Sequence, residues 1–294
     1  MNELEDIIYI AGYTDGDGCF SITQTAKRFR VSFTITSTNF DLISHLFTTY
    51  SGRIYKNEEQ KRPTRKICFY FIKDRKEASA FAEKLFPYLI EKKRQCELFT
   101  SFYKTDIRDF RLEIIKDLER EKHLRNRISF DDISKLKSIS NFIEPEKSDF
   151  IYLAGFVDAE CHIGIQHYKP KNKINEVFKV VIQCNNTRYP IFYWLKKRFG
   201  GSCHFVKRNE KNSLHCDQIL WKLTGKSVYY LLKNILPYLR YKKPVAEKII
   251  EFYETTLPNG GDRQSKTFKE AYQSILVKRN DIVSQVHNLN RKGP

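Results

Sequence analysis

Apolar and polar residues alternate from Cys19 to Lys27, with Phe20 and Ile22 on one side and Ser21, Thr23 and Thr25 on the other. That period of two is the signature of a half-buried strand. Residues 30–36 repeat it, with Val31, Phe33 and Ile35 inward and Arg30, Ser32, Thr34 and Thr36 outward. A helical pattern at about 40–50 stops at Gly52, where glycine suits a left-handed cap. Strands near 53–58 and 65–73 and an amphipathic helix at 76–85 follow, and a short helix around Leu4–Tyr13 precedes the whole series. The second half of the chain has the same order. Ile163 and Ile165 point inward and Gln166 outward; Phe178, Val180 and Ile182 point inward, Lys179 and Gln183 outward. Each half therefore reads αββαββα, an α+β arrangement of one antiparallel sheet with helices on one face.

The likeness of the halves extends to the letters. YIAGYTDGDGCFSI at 9–22 matches YLAGFVDAECHIGI at 152–165, and FPYLIEKKRQ at 86–95 matches LPYLRYKKPV at 236–245. Gly12 aligns with Gly155, an offset of 143; Gly52 with Gly201, 149; and Pro87 with Pro237, 150. Three landmarks in one order mark a duplicated domain. The drift places a small insertion near Lys169–Asn175. The expected division is an N-terminal half at 1–116, a charge-dense linker with one helix (about Phe130–Ser138) at 117–149, a C-terminal half at 150–257, and a polar segment with a helix from near Phe268 at 258–294.

Composition narrows the function. With 52 Lys+Arg against 35 Asp+Glu, the net charge of +17 points to a polyanionic partner, nucleic acid before an anionic membrane. The predicted outward sheet faces are hydroxyl-rich and basic, and two such faces side by side suit the major groove of a duplex. Outward candidates for base and phosphate contacts are Ser21, Thr23, Thr25, Lys27, Arg28, Arg30, Ser32, Thr34, Arg53, Tyr55, Lys66 and Tyr70 in the first half. Gln166, Tyr168, Lys179, Gln183, Ser202, His204, Gln218 and Lys222 are their counterparts in the second. Because the two sets differ, the expected DNA target is asymmetric. Seven scattered cysteines without a CxxC suggest reduced thiols and no zinc site. Acidic Glu3, Glu5 and Asp6 precede the first apolar residues, unlike the basic flank of a signal peptide, and no run of eighteen apolar residues exists. The expectation is an intracellular protein with no membrane segment.

The repeated motif carries the chemistry. Small residues at Ala11–Gly12 and Ala154–Gly155 allow two helices to pack closely. Such packing would bring Asp17 and Glu160, equivalent positions at the helix ends, to one point. Two convergent carboxylates call for a cation between them, and hard oxygen donors favour Mg²⁺, which promotes in-line phosphodiester hydrolysis. Asp15 and Asp158 are read as structural braces of the helix ends. Lys92 and Lys242, each five residues after the matched proline, are placed to stabilise transition-state charge at a phosphate.

The pair IAGYTDGDG (10–18) and LAGFVDAEC (153–161) resembles the double motif of monomeric LAGLIDADG homing endonucleases, and the resemblance covers nearly the whole chain. It implies a monomer whose two sheets form a saddle over a long double-stranded DNA site, cutting both strands to leave 3′ overhangs. It also implies metal binding by Asp17 and Glu160, with help from the backbone carbonyls of Gly16 and Ala159. Mg²⁺ or Mn²⁺ would support cleavage, while Ca²⁺ is expected to bind without supporting it. Relatives are usually encoded in introns or inteins, and some act as maturases, so host intron RNA is a further expected partner. The alternatives are a maturase or a non-cleaving DNA-binding protein. Richness in Lys, Ile, Phe and Asn points to an A·T-rich genome, which fits an organelle (mitochondrion or chloroplast) or a bacterial cytoplasm. Two departures from the family pattern stand out: where the resemblance implies a polar, water-positioning residue, often Gln, after the F-x-I strand, this chain has Ser37 and Cys184, and Cys161 replaces the closing glycine of the second motif.

Overall fold

The structure, a computed structural model, describes residues 1–25, 28–57, 68–123, 130–168, 176–207, 217–255 and 265–292. The first half runs α1 (Glu3–Asp17), β1 (Gly18–Thr25), β2 (Arg28–Ser37), α2 (Phe40–Tyr50), β3 (Arg53–Asn57), β4 (Cys68–Asp74) and α3 (Arg75–Leu85). A helical turn at Phe86–Tyr88 then leads to α4 (Lys93–Ser101) and α5 (Arg108–His123). After α6 (Phe130–Lys137), the second half repeats the order: α7 (Lys147–Glu160), β5 (His162–Tyr168), β6 (Val177–Asn186), α8 (Tyr189–Phe199), β7 (Ser202–Val206), β8 (Gln218–Thr224) and α9 (Lys226–Ile235). It ends with α10 (Lys243–Glu254) and α11 (Lys266–Lys292).

Both sheets are antiparallel with matching strand orders, β1-β2-β4-β3 and β5-β6-β8-β7. One face of each is packed under helices. Phe20, Ile22, Val31, Phe33, Ile35 and Phe71 fill the first core, and Ile163, Ile165, Val180, Ile182, Ile219 and Trp221 fill the second. The pairing register confirms the duplication. Cys19 opposes Thr34 and His162 opposes Gln183, so an offset of 143 at β5 has become 149 at β6. The extra residues lie between those strands, where the suspected insertion at 169–175 falls outside the described residues.

The centre of the molecule is the pair α1 and α7. A Cβ on Gly12 would overlap the carbonyl oxygen of Tyr152 and lie 3.0 Å from the amide nitrogen of Phe156; one on Gly155 would overlap the Tyr9 carbonyl oxygen and lie 2.9 Å from the Tyr13 nitrogen. The two backbones therefore touch through their glycines. With no side chain between the helices at these points, residues 6–15 of α1 and 151–158 of α7 are buried. The seam is tied further by Lys147 and Glu5 (2.6 Å) and by Asp6, which accepts from Tyr50 Oη (2.7 Å) and His45 Nε2 (2.9 Å) and pairs with Arg240 of the other half. Burial alone would raise the Asp6 carboxyl, but Tyr50, Arg240 and His45 together hold it below the ordinary carboxylate range.

Two expectations need adjustment, and the expected C-terminal helix gains a role. The first helix does not stop at Tyr13: it starts from an Asn2–Glu5 capping box and continues through Gly16 to Asp17, because contact with α7 compensates the low helix propensity of glycine. The expected boundary between 116 and 117 falls inside α5, whose apolar stripe, with Leu118 fully buried, is hidden among charges in the sequence. Two helices therefore occupy 108–137: α5 packs on α4 and β1, whereas α6 packs on α8 and β7. Finally, α11 lies along the edge of β5, with His287 Nε2 3.2 Å from the Ile165 carbonyl oxygen and Asn290 Nδ2 donating to that of Ile163 at 2.9 Å. Those bonds satisfy an open strand edge.

The glycine contact generates a stability test. Gly12→Ala or Gly155→Ala should cost about 3 kcal/mol or more, because backbone, not a movable side chain, occupies the space of the new methyl group. Gly225→Ala, with a left-handed φ of 72° but nothing within 4 Å of its Cβ position, should cost about 1 kcal/mol. Urea unfolding of the three variants reads the difference directly.

Candidate active site at the helix seam

The seam places the repeated acids. Asp17 is the last residue of α1 and directly precedes β1, and Glu160 is the last of α7, separated from β5 by Cys161 alone. Gly16 is what lets them converge: a Cβ there would collide with the Ala159 methyl and sit 2.8 Å from Glu160 Cγ. Partial burial and the nearby Glu160 push the Asp17 carboxyl up to about 6. Burial raises Glu160 as well, while Lys92 and Lys242 act on both acids in the opposite direction. The Asp17 side chain nonetheless keeps an open side towards solvent.

Asp15 and Asp158 behave as braces, as expected, but across the fold and not on their own helices. Asp15 accepts the backbone N–H groups of Ile90 (2.7 Å), Glu91 (3.1 Å) and Lys92 (2.8 Å), and Asp158 those of Arg240 (2.8 Å), Tyr241 (3.1 Å) and Lys242 (2.7 Å). Each also accepts a tyrosine hydroxyl from the opposite motif helix, Asp15 from Tyr152 and Asp158 from Tyr9 (2.8 Å). Burial, with the adjacent aspartate, raises both phenols well above their ordinary value and keeps them donors. The tyrosines repeat at the same offset as the acids, and that repetition was the available signal for them. Arg240 and Glu91 have no counterpart in the other copy (Ile90 and Tyr241 stand there), and nothing in the sequence pointed to them. Glu91 is buried against Asn186 (3.1 Å) and Arg188 (3.7 Å) of the second half, and burial lifts its carboxyl to about 8.

The lysines close the same loop from the other side. Lys92 Nζ donates to the carbonyls of Thr14 (2.8 Å), Gly16 (2.7 Å) and Gly18 (2.8 Å); Lys242 Nζ donates to those of Val157 (2.7 Å) and Asp158 (2.9 Å). Both ammoniums sit on the carbonyl ends of the motif helices, where cations are favoured. Burial lowers the pKa of Lys242, countered by Cys161 and the surrounding acids. Of the two carbonyls expected to hold metal, that of Gly16 is thus engaged by Lys92, while that of Ala159 is not among those the lysines take. No third Asp, Glu, His or Cys completes a metal-binding group among the described residues. Two carboxylates with a peptide carbonyl nonetheless form a hard, oxygen-only donor set that fits Mg²⁺ or Mn²⁺, provided substrate and water supply the remaining positions.

Above the acids lie the open sheet faces. Cross-strand partners share a face, and the register puts every described candidate from both halves on the open one, from Ser21 opposite Ser32 to Gln183 opposite Lys222. Lys27 and Lys66 lie outside the described residues. Ser37 and Cys184, read as water-positioning residues, do not face the open side. Ser37 is buried and binds Tyr13 Oη (2.9 Å), and Cys184 is buried in the core. Each lies two residues beyond an inward isoleucine, Ile35 or Ile182, and so shares its face; on the open side, Cys19 follows Asp17 by two residues and opposes Thr34, and His162 follows Glu160 by two and opposes Gln183. Cys161 in place of glycine is harmless to the backbone: it sits at φ −89° and Gly18 at φ −83°, neither left-handed.

The LAGLIDADG endonuclease family matches residues 10–105 and 153–256, both copies of the repeat. The chain belongs to this family. Solved LAGLIDADG enzymes share its fold over nearly their whole length. The I-AabMI meganuclease bound to uncleaved DNA is 14% identical, covering 95% of this chain and 98% of that one at a TM-score of 0.63. I-SmaMI bound to cleaved DNA is 14% identical, with coverages of 94% and 95% and a TM-score of 0.64. I-GzeII in complex with its DNA target is 15% identical, with coverages of 92% and 96% and a TM-score of 0.55. No curated protein matches the chain. At such identities the shared property is the fold, and this LAGLIDADG chain keeps an acid at the end of both motif helices.

The crowded acids predict a stability effect. A carboxyl raised from 3.8 to about 6 makes ionisation cost folding stability, a cost absent below the unfolded value and complete above the folded one. Asp17→Asn should therefore raise Tm at pH 8 in EDTA, with the gain shrinking to nothing as pH falls from 6 towards 4. Calorimetry across that range checks it.

Proposed function

We propose that this LAGLIDADG endonuclease hydrolyses both strands of a long, asymmetric double-stranded DNA site with a divalent metal, Mg²⁺ or Mn²⁺. The observation that carries this reading is the retention of a carboxylate at both motif ends, held together by the glycine seam beneath two open, polar sheet faces. A protein that only bound nucleic acid would gain stability by losing this repulsive pair.

The sheets do the recognition. Strands in the major groove bring Ser, Thr, Arg, Gln and Lys side chains to base edges and phosphates. Unlike rows on the two faces, such as Cys19–Thr34 against His162–Gln183, read unlike half-sites. The acids then lie below the centre of the site, one at the inner end of each sheet, so one carboxylate serves each strand and the staggered cuts leave 3′ overhangs. Asp17, Glu160 and the Ala159 carbonyl would hold the metal, with the Gly16 carbonyl joining if Lys92 yields it. The metal, when bound, lowers the pKa of the attacking water and stabilises the leaving 3′ oxygen. Lys92 and Lys242 fix the motif carbonyls, partly neutralise the acid pair, and stand close enough to it to offset charge that accumulates on the phosphoryl oxygens. Asp15, Asp158, Tyr9 and Tyr152 keep these groups in place and take no part in bond breaking.

Cleavage selection on a randomised duplex library with Mg²⁺ should yield one long site. Asp17→Asn and Glu160→Gln should each lower double-strand cleavage of that site by about a thousandfold or more, and EDTA should abolish it. A folded wild-type protein that cuts nothing with Mg²⁺ or Mn²⁺, or variants that cut as well as wild type, would overturn the two-acid reading.

A further inference from the structure

Among non-glycine residues, the described chain has left-handed backbone at two positions, Ser51 and Arg75, both at φ 55°. The duplication supplies a control for Arg75. Asp74 opposes Ser32 in the first sheet and Thr224 opposes Val181 in the second, so the next residues, Arg75 and Gly225, are equivalent. Gly225 has φ 72°. The second copy thus meets the conformational demand with the residue that suits it, whereas the first copy keeps a long cationic side chain in a backbone region that disfavours it.

The surroundings of Arg75 say what the side chain is for. It lines a groove of about 1280 Å³ that wraps from the open face of the first sheet around its outer end. Arg28, Arg30 and Lys76 line it too, and Arg111 stacks over Phe102 in the same wall, its guanidinium already paired with Asp106. The acidic residue nearest the strand end, Asp74, is taken by Arg53. Arg75 is exposed, and no ion pair is recorded for Arg28, Arg30, Arg75 or Lys76 among the described residues. The second copy has Val177 where the first has Arg28, and Ser202 where the first has Arg53. Lys179 and Lys226 stand in the second copy for Arg30 and Lys76, but Arg28 and Arg75 have no cationic counterpart, so the two sheet ends carry unequal positive charge.

We propose that Arg75 is a DNA-backbone anchor: together with Arg28, Arg30 and Lys76 it grips the phosphates flanking the half-site read by the first sheet, and this end of the target contributes more of the electrostatic affinity than the other. A guanidinium matches two phosphate oxygens at once, which suits an arginine better than a lysine to a fixed contact of this kind. The proposal rests on the endonuclease reading, since it assigns the groove to the same DNA that the sheet covers.

Arg75→Gly separates strain from function. The variant copies what the second half already does, so its Tm should equal or exceed that of wild type. Its affinity for a mixed-sequence duplex of about 40 base pairs should nevertheless fall about five- to tenfold. The slope of log K against log[salt] should become shallower by about one, the signature of one lost phosphate contact. Arg75→Gln, which keeps a long side chain and the positive φ of wild type but loses the charge, should lose the same affinity at unchanged Tm and guards against an effect peculiar to glycine. Unchanged affinity and slope in both variants would overturn the proposal, as would a fall in Tm with binding intact, which would make Arg75 a structural residue. Wild-type protein that binds no duplex would remove the endonuclease reading itself, a failure visible before any variant is compared.

Discussion

Everything at the centre of this molecule depends on the absence of two Cβ atoms. With glycine at 12 and 155, the backbones of α1 and α7 meet directly, and the last residues of both helices arrive beside each other. A single methyl group at either position would separate the helices and carry Asp17 away from Glu160. Gly16 extends the same logic to the acids, where it leaves space for Ala159 and the stem of Glu160. Packing geometry, not any local property of the acids, creates the site.

The two kinds of motif carboxylate are treated in opposite ways. Asp15 and Asp158 are fully buried, yet each accepts three backbone N–H groups and a tyrosine hydroxyl, enough to offset the loss of water. They lock the loop that carries Lys92, or Lys242, against the motif helix, and the lysine locks it back through the helix carbonyls. Asp17 and Glu160 have no such set of donors and face each other. The braces stabilise the fold while the crowded pair costs it stability, the pattern of a site whose groups are held ready for something that is yet to bind.

Much of this was legible in the sequence because the chain is written twice. Period-two alternation placed the strands and their faces, and register confirmed each described candidate on the open side. Repetition separated Asp17 and Glu160 from ordinary turn residues. Three features were hidden for physical reasons. The stripe of α5 is diluted by charge, so its buried Leu118 was not seen. Ser37 and Cys184 were placed by counting from the preceding strand, but each lies two residues beyond an inward isoleucine and so points into the core. Arg240 and Glu91 join the halves through contacts that only the folded seam creates, and the asymmetry of those contacts left no repeat to find. The lysines were found by repetition, but their partners, the motif carbonyls, could be known only from the fold.

The central claim is that the glycine seam brings Asp17 and Glu160 to a shared cation at the DNA. Anomalous diffraction from crystals of the protein with its selected duplex and Mn²⁺ tests it most directly. The account predicts a manganese peak within coordinating reach of both carboxylates and of a phosphate oxygen, on the axis between the motif helices. Manganese bound to one acid alone, with the other turned away or more than a coordination sphere distant, would contradict it.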